Sequence, residues 1–168
     1  RLFLNEIQLL RLSFSKASNK KIEKEIKANF GFEAIIPREY EVVNNDTNLF
    51  WAIHNPQKSD EIKNIISFAF TSGKKNLQEE VLYKTDSVIG KYLIGEKEGS
   101  YVSIESEYPP YYKDKLYRGL WRLQNGFMGG PFLIKTYFIR ERVIVNIGLV
   151  FDPQNTKRRH IKEFESIL

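Results

Sequence analysis

RVIVNIGLVF, residues 142–151, alternates its side chains so that Val143, Val145, Ile147, Leu149 and Phe151 share one face. A period of two over such a run marks a β-strand, because successive side chains on extended backbone point to opposite sides. Asp152-Pro153 stops it, since proline brings no N–H to a ladder. Upstream, Arg140-Glu141 separates it from a second strand, Pro131 to Ile139, so the two read as a hairpin. Leu116 to Gln124 is a further strand, followed by Asn125-Gly126, a common tight-turn pair, and Tyr101 to Glu105 alternates as a shorter one. The second half of the chain is therefore antiparallel β.

The first half mixes periods. Leu2, Phe3, Ile7, Leu10 and Phe14 recur at helical spacing over residues 1 to about 16. Ser18 or Asn19 caps a second helix carrying Ile22, Ile26 and Phe30, and Gly31 ends it. Phe32 to Ile36 reads as a strand stopped by Pro37, and Asn44-Asn45-Asp46 is turn chemistry. Leu49 to Ile53 and Ile62 to Thr71 read as strands around a loop with Asn55-Pro56. Asn76 caps a longer helix with Leu77, Val81, Val88 and Tyr92 on one face, and a terminal helix presents Ile161, Phe164 and Leu168. The expected order is two helices, three strands, a helix, four strands and a helix. That is an α+β fold, an antiparallel sheet sandwiched by helices, with an element order similar to the PsbP-like fold. Residues 1–30 form an N-terminal helical segment packing on a single domain, 31–168.

The length of 168 residues is enough to bury a core without disulfides or metal, and the chain has no cysteine. Aromatic residues are abundant, 12 Phe, 9 Tyr and 2 Trp, which suits a half-buried pleated surface. The net charge of +5 is dispersed. Lys16, Lys20, Lys21, Lys24 and Lys27 share a stretch with Glu23 and Glu25, and Lys157, Arg158, Arg159 and Lys162 lie near the other end. Mixed signs of this kind mark solvated helix faces, and no zinc-finger, RNP-type or helix-turn-helix pattern accompanies them, so nucleic acid is not an expected partner. No apolar run approaches the ~20 residues of a membrane helix. The chain opens on Arg1 within a helical pattern, so a targeting segment is expected upstream.

Reactive constellations are sparse. His54 and His160 lie in different elements, with no HExxH or i,i+4 partner for a metal or a triad. His54 is expected at a strand end, and His160, after Lys157-Arg158-Arg159, on a solvated helix face. Glu105 and Glu107 alternate along one strand and read as surface, although a glycosidase-like carboxylate pair elsewhere stays an alternative. Gly129-Gly130-Pro131 lacks phosphate-loop spacing and precedes a strand rather than a helix. Neither a cofactor nor a metal is expected.

The informative segment is 108–132. Tyr108-Pro109-Pro110-Tyr111-Tyr112 should be an extended surface loop, since two successive prolines withhold ladder donors. Arg118 and Trp121 follow, then Phe127 and Met128 beside glycines. Either Phe127 and Met128 tuck under the sheet edge while the glycines supply positive φ, or they join the Tyr-Pro loop in an apolar contact patch. An aromatic-lined concavity with one arginine suits a peptide, a glycan or a lipid headgroup.

The same residues carry a resemblance. EGSYVSIESEYPP at 98–110, RGLW at 118–121, NGFMGGPF at 125–132 and VNIGLVFDP at 145–153 resemble an uncharacterised family of Bacteroidetes lipoproteins, catalogued as a domain of unknown function. GFEAIIPREYEVV at 31–43 and FWAI at 50–53 extend the likeness over most of the chain. The resemblance implies a C-terminal part of a lipid-anchored envelope protein facing the periplasm or the cell surface, with the lipidated cysteine upstream. It supplies no activity. The expected function is a non-enzymatic binding or assembly module for an envelope protein, peptide or glycan, acting through Tyr108, Pro109, Pro110, Tyr111, Arg118, Trp121, Phe127 and Met128. The alternative is a carboxylate-dependent enzyme acting on a glycan or peptide.

Overall fold

The computed structural model describes residues 2–73 and 75–168, with side chains from residue 6 onward. Helices α1 (Leu2–Lys16) and α2 (Lys20–Phe30) open the chain, followed by strands β1 (Glu41–Asn45), β2 (Leu49–His54) and β3 (Ile62–Thr71). Helix α3 (Leu77–Tyr92) leads into β4 (Val102–Ile104), β5 (Tyr111–Lys113), β6 (Leu116–Leu123), β7 (Gly129–Ile139) and β8 (Arg142–Phe151), and α4 (Arg158–Ile167) ends it. The strands form one antiparallel sheet in the order β1-β2-β3-β8-β7-β6-β4, with β5 also paired to β6. The α+β architecture stands as expected, with eight strands rather than seven.

The strand decided first in the sequence is the centre of the molecule. β8 lies between β3 and β7, and its two faces belong to different cores. Val143, Val145, Ile147 and Leu149 join Val81 and Ile89 of α3 on one side, and Ile144 and Val150 join Ile26, Phe30, Phe164 and Ile167 on the other. Helices thus cover both faces. Gly148 of β8 is where α4 comes closest, since a Cβ there would sit 2.4 Å from the Phe164 ring. The caps form as the sequence indicates: Asn19 Oδ1 accepts from the Ile22 N–H at 3.3 Å, and Gly31 takes φ +86°. Asn76 Oδ1 accepts from the Glu79 N–H at 3.2 Å. In α1, Ile7, Leu10 and Phe14 are half-buried, whereas the expected contributions of Leu2 and Phe3 lie outside the described side chains.

Three local expectations need correction. Phe32 to Ile36 is buried apart from Glu33 but joins no strand, because its backbone bonds run elsewhere. The Ile35 N–H donates to Ile167 O at 3.0 Å and the Ile36 N–H to Glu23 Oε1 at 3.1 Å. This segment is sandwiched filling rather than sheet. Asn44-Asn45 belongs to β1, and the turn is built one residue later, where Asp46 Oδ1 accepts from the Asn48 and Leu49 N–H groups at 2.7 and 2.8 Å. β1 has no buried residue and a bulge between Val42 and Asn44, so an alternating signal was absent. Finally, Tyr111 and Tyr112 leave the expected loop and pair with Arg118 and Tyr117 as β5.

Candidate functional site

Strand β6 distributes the candidate residues between the two faces of the sheet. Alternation places Tyr117 and Trp121 toward α3 and Leu116, Arg118 and Leu120 toward α4. Arg118 and Trp121, three residues apart on one strand, therefore cannot share a surface. Tyr111 is registered opposite Arg118 and follows it to the α4 side.

On that side lies a groove of ≈ 730 Å³ between the Tyr108-Pro109 loop, β6 and α4. Tyr108 (65% exposed) and Tyr111 (56%) form one wall with Pro109, Leu120 and Phe132 line the floor, and Arg158, Ile161, Lys162 and Glu165 of α4 form the far wall. Glu107 also borders it. Arg118 is committed to structure: Nη2 donates to Glu165 Oε1 at 2.5 Å and Nη1 to Lys113 O at 3.3 Å. Lys162 pairs with Glu6.

Arg158 differs. α4 begins with Lys157, Arg158 and Arg159, has no acidic residue in its first turn and no side-chain cap. Cations there oppose the helix dipole, which favours negative charge at this end. Two of them have structural partners: Lys157 donates to Asp152 O and Asn155 O, and Arg159 Nε donates to Glu163 Oε1 at 3.0 Å. Arg158 alone of the three makes no ion pair or hydrogen bond among the described residues, and it borders the groove.

The remaining predicted residues go elsewhere. Trp121 is buried and its Nε1 donates to Val150 O at 3.2 Å. With half-buried Met128 it lines a separate apolar hollow on the α3 side. Pro110 packs over Gly119, where a Cβ would meet its Cγ at 2.9 Å. Phe127 is 91% exposed at the β6–β7 turn, so of the two apolar neighbours only Met128 tucks in. A shallow depression on that rim does bring Tyr108, Leu120, Phe127 and Met128 together. The expected role of the nearby glycines is corrected. Asn125 carries the positive φ (58°), whereas Gly130 admits close approach, a Cβ there lying 2.0 Å from Val150 O.

A polar cluster that the sequence reading missed lies beneath α4. His160 is only 4% exposed, not on a solvated face, and its Nε2 lies 2.8 Å from Asp152 Oδ2. Its Nδ1 is buried without a hydrogen-bond partner, 3.7 Å from Glu163 Oε2. Lys63 Nζ contacts Glu163 Oε2 at 2.8 Å and Glu61 Oε1 at 2.9 Å. The Glu163 carboxylate, ahead of the opposing effect of burial and with help from Asp152, raises the His160 pKa above its ordinary value. Burial alone would raise the Glu163 carboxyl, but the neighbouring His160 imidazole and Lys63 ammonium outweigh it and hold the pKa at about 2. Glu61, Asp152 and His160 bring ligand-type atoms within 4.8 Å of one another. The Lys63 ammonium already supplies the cation there, so a metal ion would meet like charge. A signal was available in the sequence: His160 is on the same stripe as Glu163, Phe164 and Ile167, at i, i+3, i+4 and i+7.

A protein-family model described as a domain of unknown function (DUF4837) matches residues 19–168, from the cap of α2 to the last residue. No curated protein matches the chain.

Proposed function

The chain belongs to this family of unknown function, and from that premise we propose that it is a non-enzymatic binding or assembly module whose α4-side groove receives an extended peptide bearing a carboxylate. The observation that carries the reading is Arg158, a guanidinium without a partner among the described residues, set against its own helix dipole at the edge of a tyrosine- and proline-walled groove. A charge placed where it lowers helix stability calls for another role, and a guanidinium binds a carboxylate through two parallel hydrogen bonds. Tyrosine supplies wide contact area at small entropic cost, as in other peptide-binding surfaces. A glycan is the poorer occupant, because its hydroxyls need several free polar side chains and the groove is mainly apolar. An enzymatic role for its carboxylates is disfavoured by the Arg118 ion pair, which holds Glu165 as a structural anion.

We further propose that the module works in a bacterial envelope, tethered through an upstream lipid anchor, on the strength of the motif likeness to Bacteroidetes lipoproteins. Among the described residues no helix is long and apolar enough to cross a membrane. The test places a photo-crosslinking phenylalanine at Tyr111, with Phe138 on the other face of the sheet as control, in envelopes of the native host. A discrete peptide adduct at 111 whose yield falls about tenfold with Arg158→Glu supports the reading. Equal labelling at both positions, or an adduct indifferent to Arg158→Glu, refutes it.

A further inference from the structure

The apolar hollow on the opposite face is independent of that groove. It opens where α3 stops at Tyr92, leaving the ends of β2, β3 and β8 uncovered beyond the helix. Trp51, Ile62, Tyr92, Trp121, Met128 and Phe151 surround ≈ 260 Å³ of space. Among the described residues, no lysine, arginine, histidine or carboxylate lines it. Both indole N–H groups are paired internally: the Trp51 Nε1 donates to Asn64 Oδ1 at 2.9 Å, and the Trp121 Nε1 to Val150 O at 3.2 Å. A wall with so few polar groups gives water little to hold, and apolar cavities of even ~150 Å³ stay dry and accept hydrocarbon guests.

Charge appears only outside the wall. Lys91 is exposed, and its ammonium sits 5.2 Å from the centroid of the Tyr92 ring that borders the hollow. An uncharged interior with a cation beside it is complementary to an amphiphile with an apolar chain and an anionic head. We infer that the hollow binds a fatty acid with a single saturated chain, its carboxylate emerging beside Lys91. An apolar cavity of ~150 Å³ takes up benzene with its six carbons, so by proportion this hollow accommodates a chain of about ten carbons. A longer chain must leave its excess in water, and a cationic head would face Lys91.

The site carries its own reporter, because both tryptophans of the chain, Trp51 and Trp121, line it. Decanoate titrated below its micellar concentration is expected to give a saturable change in tryptophan fluorescence. Palmitate should bind no more tightly than decanoate, because its extra methylenes stay in water, and decyltrimethylammonium about tenfold more weakly, through like charge. Lys91→Glu should weaken decanoate and leave decanol unchanged, and Ile53→Phe, which fills the hollow, should abolish both responses. Tyr111→Ala in the separate groove should have no effect. The inference is overturned by affinity that climbs steadily to palmitate, by equal binding of the cationic amphiphile, or by loss of the response in Tyr111→Ala. The chain-length and head-group series use the unaltered protein, so poor folding of Ile53→Phe would not shelter the claim.

Discussion

Gly130 shows how one residue can be fixed by a partner far along the chain. The Trp121 indole crosses β7 at this position to reach the Val150 carbonyl on β8, and a Cβ on Gly130 would lie 2.0 Å from that oxygen and 3.4 Å from the indole nitrogen. Alanine must push two backbones apart or break the indole bond. Gly130→Ala is expected to cost about 2 kcal/mol or more, read as a lowered urea midpoint with unchanged m. Gly73→Ala is the control. Nothing lies within 4 Å of a Cβ there, so its effect should stay within about 0.5 kcal/mol. The sequence marked Gly130 as special but assigned it the wrong reason, because positive φ is a local property and backbone approach is not.

At the scale of elements, α4 is the informative case. Its apolar stripe was legible as helical period, but the neighbouring charges Lys157, Arg158 and Arg159 made His160 look solvated. Periodicity identifies a buried face, whereas the polar groups that face it belong to β3, to the end of β8 and to the loop between β2 and β3. Asp152, Glu163, Lys63 and Glu61 surround the imidazole, with Arg159 paired to Glu163. These pairs set a pH dependence. His160 has a raised folded pKa, so its contribution is complete below the ordinary histidine value of about 6.5 and is lost as pH rises through the folded one. Glu163, held at about 2, contributes fully above the ordinary glutamate value and loses that contribution as pH falls toward 2. Stability from this cluster should therefore peak in mildly acidic solution. In His160→Asn the loss on the alkaline side should flatten in urea midpoints measured against pH, and the acid side should lose part of its slope, because His160 is one of the groups that hold the Glu163 carboxyl low. Profiles that run parallel in both proteins would remove the histidine from this account.

For the whole molecule, the sheet is a partition between two cores, and what lines each surface follows from which core lies behind it. Phe164, wholly buried against Gly148, ties α4 to the sheet and so holds the far wall of the α4-side groove. Phe164→Ala should cost about 3–5 kcal/mol in chemical denaturation, whereas Phe138→Ala, at 66% exposure, should change little. The sequence by itself determined the strands with a buried face, the capped helices and the α+β class, because side-chain period and cap chemistry are set within a few neighbouring residues. It also singled out 108–132 as the segment that borders the concavities. Only the tertiary structure decided that this segment serves two surfaces, with Tyr108, Tyr111 and Arg118 on one and Trp121 and Met128 on the other. The hidden edge strand β1, the buried histidine and Arg158, without a partner among the described residues, were decided there too. Each depends on contacts between residues remote in the chain, and such contacts leave no periodic trace in the order of amino acids.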